Sequence, residues 1–234
     1  MRRRDQTLYV RLSCAENKKQ PVATWERYEA TVAAIQKLRS ESDSDEPRMR
    51  WARMEFALFL AERTGKRLGS IRQLRWEDFG FERQVVYWRA EADKKGYKWE
   101  VPMPTYFFES VRTFQREIGA VGGFVFAAPN SCDGMIDRHW FDEWLTVAEK
   151  KAKLPKLDGS LWHAYRRKWA IERKHLPLKD VAAAGGCQPD ALLQDEIAVC
   201  LVKRPQIDER RKRTDHKHEP QRNRRRWYWT EKGP

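Results

Sequence analysis

The sequence contains no apolar run approaching the roughly 20 residues that a membrane-spanning helix needs. Its first residues, Met1-Arg-Arg-Arg-Asp5, lack the apolar stretch of a signal peptide. Cysteine is scarce, and Cys14, Cys132, Cys187 and Cys200 are far apart with no metal-ligand spacing. These absences argue against a membrane protein, a disulfide-stabilised secreted domain and a structural metal site. They favour a cytosolic protein with reduced thiols.

Acidic residues are outnumbered by basic ones. The 234 residues contain 47 Lys and Arg against 34 Asp and Glu, a formal net charge of +13. With 41% hydrophobic and 12% aromatic residues, the chain can build one substantial core and a small appendage. Such a charge favours a polyanionic partner, and nucleic acid is the commonest one.

The charge is concentrated in a C-terminal tail, residues 203–234, which has twelve Lys or Arg and five Asp or Glu, a net +7. Two interpretations of this tail remain open. It is either a solvated, disordered segment or a segment that follows a phosphate backbone, which would make binding salt-sensitive. Arg224, Arg225 and Arg226 precede Trp227-Tyr228-Trp229, whose rings are suited to stacking on bases.

Apolar periodicity predicts a mostly helical chain with a small sheet. An extended lead-in over residues 1–20 precedes one domain over residues 21–202. A polar break over residues 40–47 ends in a proline. Helices are predicted over residues 22–39, 49–63, 68–74, 106–118, 137–153, 161–173, 178–184 and 190–202, and strands over residues 84–90, 98–101 and 124–126. The predicted fold class is therefore α+β, mainly helical, with a hairpin turn at Lys95-Gly96.

Four side chains of this domain are suited to handling a phosphodiester. Arg67 stands in a Thr-Gly-Lys-Arg segment, Lys94 lies at the predicted hairpin tip, and His163-Ala-Tyr-Arg166 lies on a predicted helix. Arginine matches two phosphate oxygens and stays charged at any working pH. His163 and Arg166, three residues apart, share a helix face, and Lys94 is placed to protonate a leaving oxygen.

Each of these features alone indicates only a solvated basic surface. The ordered set is far harder to obtain by chance: Lys94 follows Arg67 by 27 residues, His163 follows it by 96 residues, and a Gly-Gly turn comes next. The set resembles the catalytic domain of the tyrosine recombinases (phage integrases). The segments Leu74-Arg-Trp-Glu-Asp-Phe79 and Val101-Pro-Met-Pro104 resemble two further segments of that family.

The resemblance covers about residues 22–202 and implies a mainly helical domain with a small antiparallel sheet and a basic cleft for double-stranded DNA. It implies that Arg67, Lys94, His163 and Arg166 are catalytic. The basic residues Lys95 and Arg167 of this domain, and Arg224, Arg225 and Arg226 of the tail, are predicted to contact DNA. The implied reaction uses no cofactor or metal: a tyrosine attacks, a 3′-phosphotyrosyl intermediate forms, and a second 5′ hydroxyl rejoins the strand. It also implies a homo-oligomer on DNA, located in the cytoplasm with the nucleoid.

The sequence departs from the family pattern where the chemistry is made. Cys187 stands where histidine or tryptophan is expected, and Glu196 stands where the nucleophilic tyrosine is expected. Ser70 replaces a supporting glutamate. Tyr228, 41 residues beyond Cys187, is the one tyrosine downstream. Only about twenty residues precede the first predicted helix, where relatives carry a second DNA-binding domain, so half of the DNA clamp is expected to be missing.

The leading hypothesis is therefore a DNA-binding recombinase catalytic domain from a phage or mobile element, with weakened or lost strand cleavage. One rival is a working enzyme that uses Tyr228. A second is a non-catalytic basic DNA-binding or regulatory module, in which Arg67, Lys94 and Arg166 only hold phosphate. A third is an RNA-binding protein driven by the tail. A frame-altered remnant beyond Gly186 fits the sequence as well as a selected derivative does.

Overall fold

The computed structural model describes residues 21–93, 96–128 and 134–186, except the side chains of Leu178 and Ala183. In that part of the chain seven α-helices and three short strands follow one another. The helices are α1 (Trp25–Ser40), α2 (Asp45–Thr64), α3 (Leu68–Arg72), α4 (Thr105–Glu117), α5 (Arg138–Lys151), α6 (Leu161–Glu172) and α7 (Leu178–Gly185). The strands are β1 (Phe79–Gly80), β2 (Val85–Trp88) and β3 (Trp99–Pro102). No helix within these ranges has the length and apolar character needed to cross a membrane.

Local signals set the starts of the first two helices. The Thr24 hydroxyl accepts a hydrogen bond from the backbone amide of Arg27 (3.2 Å), which starts α1. The predicted break over residues 40–47 is wrong at its end, because α2 already begins at Asp45. Pro47 lies in the first turn of α2, where a missing amide hydrogen costs no helical bond.

The three strands form one antiparallel sheet in the order β1-β2-β3. Val86 pairs with Val101 and Trp88 with Trp99 across β2 and β3, so the predicted pairing of these strands is confirmed. Strand β2 is shorter than the predicted 84–90, and β3 is shifted by one residue from the predicted 98–101. The predicted strand over residues 124–126 is wrong. Phe124 makes only an isolated bridge with Arg75, and Val125 and Phe126 lie in a buried turn.

Asp78 explains why the Leu74-x-Trp76-x-Asp78 segment precedes the sheet. Its carboxylate accepts hydrogen bonds from the Arg75 amide (2.8 Å) and from Nε of Arg89 (2.7 Å), just beyond β2. Leu74 and Trp76 are buried in the core. The segment therefore fastens the end of α3 to the sheet and fixes where the hairpin leaves the body of the domain.

The core joins the helices to the sheet through aromatic side chains. Phe56 of α2 stacks on Phe114 of α4 with ring centroids 4.1 Å apart. Phe126 meets Phe141 of α5 edge to face at 5.3 Å, and Phe141 also contacts Trp162 of α6. These contacts hold α2, α4, α5 and α6 in one body. The predicted lead-in (1–20), the predicted helix 190–202 and the tail (203–234) lie outside the described residues.

Candidate nucleic-acid cleft

Arg67 reaches the surface through a tight turn between α2 and α3. Gly65 ends α2 with a left-handed backbone (φ +63°), and its amide donates to the carbonyl of Ala61 (3.0 Å). A Cβ atom on Gly65 would overlap the ring of Trp169, so both the conformation and the space require glycine. The chain then reverses, and Arg67 is the exposed residue that precedes the first turn of α3.

Arg67 and His163 line the same cleft, although 96 residues separate them in the sequence. His163 lies in the first turn of α6 and is exposed. The cleft holds about 260 Å³ and is lined by Arg67, Leu68, Gly69, Ser70, Gln73, Glu91, Ala92, Asp93, Arg138, Ser160, Trp162 and His163. Its charged lining therefore combines two arginines and a histidine with two carboxylates.

Arg166 lies behind this lining rather than in it. The side chain is 3% exposed, and its Nη1 donates to the carbonyl of Gly65 and to the carbonyl of Gly185 (3.0 Å). The ring of Trp169, one turn further along α6, lies against the same two glycines. Arg166 and Trp169 thus tie the turn that presents Arg67 to the Gly-Gly turn that precedes Cys187.

The base of the hairpin is fastened next to the cleft. The Ser70 hydroxyl donates to the carbonyl of Ala92 (2.6 Å), so Ser70 links α3 to the segment that leads into the hairpin tip. The amide of Gly96 donates to the carbonyl of Asp93 (3.0 Å). Lys94 and Lys95, between these two residues in the sequence, lie outside the described residues. Ser70 has a role in positioning that its replacement of a glutamate did not suggest.

Helix α6 is held from behind by a buried polar network. The Tyr165 hydroxyl donates to Oε1 of Glu149 (3.1 Å) and lies 2.9 Å from the hydroxyl of Thr31. Arg27 binds both oxygens of Glu149, at 2.9 and 2.6 Å. Burial, followed by the charge of Glu149, raises the pKa of Tyr165 well above its ordinary value. Tyr165 is therefore a core residue that orients the helix bearing His163 and Arg166.

The remaining predicted site residues divide into two groups. Arg167 is partly buried, and its Nη1 donates to the carbonyl of Pro21 (3.0 Å), at the start of the described chain. The others fall outside the described residues: Lys94, Lys95, Cys187, Glu196, Arg224, Arg225, Arg226 and Tyr228. Within the described ranges no three His, Cys, Asp or Glu side chains come together as a metal-binding group.

Sequence reasoning missed one arginine in the lining of the cleft and a second arginine, outside the lining, that holds a neighbouring segment. Arg138, the first residue of α5, lines the cleft and pairs with Asp142 (3.4 Å). Arg72 holds the segment just before α5 in place, because its Nε donates to the carbonyl of Ile136 (2.7 Å). One sequence signal could have found Arg138: it stands at the start of a predicted helix, directly after Asp137. Asp137 caps that helix, because its carboxylate accepts a hydrogen bond from the His139 amide (2.7 Å).

No protein-family profile matches the sequence, and no curated protein matches it. Solved structures do match the fold. A lambda integrase dimer bound to a COC′ core site superposes with a TM-score of 0.59 at 17% identity, covering 82% of this chain and 52% of that one. For XerA recombinase the TM-score is 0.57 at 14% identity, covering 77% of this chain and 59% of that one.

The structure of the lambda integrase catalytic core alone also matches, with a TM-score of 0.53 at 18% identity. That match covers 72% of this chain and 91% of the catalytic core. The chain thus spans about half of the longer lambda integrase chain and nearly all of the catalytic core. The mainly helical architecture with its three-stranded antiparallel sheet agrees with this match. The chain has the fold of a tyrosine-recombinase catalytic domain.

Proposed function

We propose that this chain is a DNA-binding domain of the tyrosine-recombinase type that keeps the phosphate-binding part of the site and has weakened or lost strand cleavage. The observation that carries this proposal is the meeting of Arg67 and His163 in one cleft, with Arg138 in the same lining. The net charge of +13 supports a polyanionic partner. Lambda integrase, which shares the fold, was solved on a DNA core site as a dimer.

In this proposal the cleft receives one phosphate of double-stranded DNA. Arg67 and His163 bind its non-bridging oxygens from two sides, and Arg138 contacts the neighbouring backbone. Arg166 adds positive charge from behind the lining while its Nη1 holds the Gly65 and Gly185 carbonyls in place. Preorganised donors of this kind stabilise the charge that develops on a phosphate under attack.

The proposed defect lies in the nucleophile. Cleavage requires a tyrosine oxygen to form a bond to phosphorus while the bond from phosphorus to the 5′ oxygen breaks. The leaving 5′ oxygen then receives a proton, and Lys94 is predicted to donate it. Glu196, at the expected tyrosine position, cannot form this linkage, and its carboxylate repels the phosphate. Cys187, at the expected histidine or tryptophan position, is a weak hydrogen-bond donor. The proposal therefore keeps binding and removes covalent chemistry.

Covalent trapping on nicked duplex DNA tests the proposal, with products separated on a denaturing gel. The wild-type chain is expected to bind duplex and to form no adduct. Glu196→Tyr is expected to form one, because it supplies the missing hydroxyl to a cleft that keeps Arg67, His163 and Arg138. The matched control is Glu196→Gln, which removes the charge without adding a nucleophile and is expected to remain inactive.

Two results would change the proposal. A wild-type adduct that disappears in Tyr228→Phe would show a relocated nucleophile and a working enzyme. Duplex binding without an adduct in any variant would favour the non-catalytic DNA-binding or regulatory module. A further part of the proposal is that several copies assemble on DNA, and the mass of the protein–DNA complex measures their number. The proposed location is the cytoplasm, with the nucleoid.

A further inference from the structure

Lys66, next to the exposed Arg67, is a buried lysine, with only 4% of its surface exposed. Its ammonium lies 5.2 Å from the ring centroid of Trp88 and 5.4 Å from that of Trp99. These two tryptophans are directly opposite each other on β2 and β3. A cation that has lost water is strongly attracted to indole faces. Lys66 therefore fastens the turn that presents Arg67 to the hairpin that bears Lys94.

The same ammonium faces the Gly-Gly turn. A Cβ atom on Gly186 would lie 2.7 Å from Nζ of Lys66 and 3.4 Å from Oδ2 of Asp93. Gly186 also has a left-handed backbone (φ +67°), and α7, which leads into it, packs against β3. Because Gly186 has no side chain, the turn can close directly over the Lys66 ammonium and the Asp93 carboxylate.

Lys66 thus lies where three segments come together: its own turn, the segment that ends at Asp93, and the glycine turn. Each is adjacent in sequence to a predicted site residue. Arg67 follows it, Lys94 follows Asp93, and Cys187 follows Gly186. Lys66 does not line the cleft, whereas Arg67 does. Its charge is therefore placed to hold protein segments together rather than to meet a ligand there.

We propose that Lys66 is a positioning residue that couples the lysine-bearing hairpin to the turn at Gly185 and Gly186. A buried ammonium is costly unless its surroundings compensate the charge. For Lys66, the hairpin supplies the two tryptophan rings, and the glycine turn packs over the ammonium. Opening of either segment removes part of these surroundings from the ammonium, so the two segments are expected to stay ordered together. For DNA binding, the importance of this coupling rests on the function proposed above.

Lys168 provides a matched control. It is 2% exposed, and its Nζ lies 4.5 Å from the Trp25 ring and 5.5 Å from the Tyr28 ring. It also pairs with Glu62 (3.4 Å) and Glu172 (2.6 Å). Both residues are buried lysines over two aromatic rings. The partners of Lys168, which include two glutamates, lie in α1, α2 and α6 and not in the hairpin.

Hydrogen–deuterium exchange on the full chain tests the coupling in wild type, Lys66→Gln and Lys168→Gln. In Lys66→Gln, exchange is expected to accelerate by about tenfold or more in both 85–102 and 178–186, because local opening of the two segments becomes easier. Helices α1 and α5 are expected to keep their wild-type rates. In Lys168→Gln, the acceleration is expected in α1 and α6. Acceleration of the hairpin alone, of neither segment, or of the whole chain uniformly would overturn the proposal.

Two further variants separate charge from volume. Lys66→Arg keeps a cation over the rings and is expected to restore slow exchange in both segments, whereas Lys66→Met fills similar space and is expected to behave like Lys66→Gln. Equal behaviour of the two would show that Lys66 only fills space. If Lys66→Gln does not fold, Trp99→Leu removes one face of the site and is expected to accelerate the same two segments; failure to do so contradicts the coupling.

Duplex affinity provides the functional readout. Lys66→Gln is expected to bind duplex DNA several-fold more weakly than Lys168→Gln. A wild-type chain that binds no duplex would reject the function proposed above, while the exchange rates would still decide whether the two segments are coupled. Equal affinities of the two variants, with coupled exchange confirmed, would limit the role of Lys66 to the fold.

Discussion

At the scale of single residues, Arg67 is the side chain that most directly tests the proposed phosphate ligand. It is exposed, precedes α3 and lines the cleft with His163. Arg67→Ala is expected to weaken duplex binding by roughly three- to tenfold at moderate salt. It is also expected to reduce the slope of log K against log[salt] by about 0.9, the value for one lost phosphate contact. Fluorescence anisotropy across a salt series measures both quantities.

The control for Arg67 is Arg116→Ala, which removes an exposed arginine of α4 that does not line the cleft. It subtracts the same charge from the chain. If the two alanine variants lose affinity and slope equally, binding depends on total charge and the cleft has no special role.

Replacement of Gly65 is expected to lower the stability of the domain. Gly65→Ala places a methyl group against the Trp169 ring in a left-handed backbone (φ +63°). The conformational cost is about 1–2 kcal/mol and the overpacking cost about 1–3 kcal/mol, so the free energy of unfolding is expected to fall by roughly 2–5 kcal/mol. Urea denaturation measures it. Gly69→Ala, in α3 with no atom within 4 Å of the new methyl, is expected to be neutral or stabilising.

At the scale of elements, α6 is held by the Tyr165 network, and this has a consequence at alkaline pH. Burial raises the pKa of Tyr165 and of Tyr28 above the ordinary value of 10.0, with the charges of Glu149 and Glu62 as the next causes. In the unfolded chain both phenols ionise near pH 10. Above that pH the unfolded state binds fewer protons than the folded state, so the free energy of unfolding falls as pH rises.

The stabilisation from these neutral phenols is therefore fully present below about pH 10 and lost as pH climbs toward the folded pKa values. Denaturant unfolding between about pH 8 and about pH 11 is expected to show this decline. Tyr165→Phe is expected to make the decline shallower. At neutral pH it is expected to cost about 1–3 kcal/mol, because Glu149 and Thr31 lose a partner. If the free energy of unfolding falls as steeply at alkaline pH in Tyr165→Phe as in wild type, other groups cause the fall. The control is Tyr97→Phe, on an exposed ring.

The elements were easier to predict from sequence than the geometry of the cleft. Helical periodicity and the Gly65 stop placed α1 to α7 closely, since each depends on local apolar spacing and caps. The strand predicted at 124–126 failed because apolar density alone does not separate a strand from a buried turn. Spacing and resemblance predicted that Arg67 and His163 share a site, and the two side chains line the same cleft. Spacing could not show that Arg166 points at two carbonyls, because that depends on the packing of Trp169 beneath two glycines.

At the scale of the whole molecule, the distribution of charge indicates how the cleft and the tail would share the proposed DNA binding. The tail over residues 203–234 contributes +7 of the total +13, while the charged lining of the cleft includes two carboxylates, Glu91 and Asp93. A cleft with so little excess positive charge is suited to positioning a phosphate rather than to supplying most of the affinity. Sequence-independent attraction would then come largely from the tail.

Deletion of residues 203–234 is therefore expected to weaken duplex binding by about tenfold or more at low salt and to flatten its salt dependence, yet to leave measurable binding. The remaining binding should be lost in the deletion combined with Arg67→Ala, and kept in the deletion combined with Arg116→Ala. Anisotropy titrations with duplex DNA and with single-stranded RNA of equal length measure the effect. A cleft that binds duplex phosphate keeps its arginines when the tail is removed. If the deletion alone abolishes binding and the full chain prefers RNA, the tail is therefore the binding element and the cleft is not.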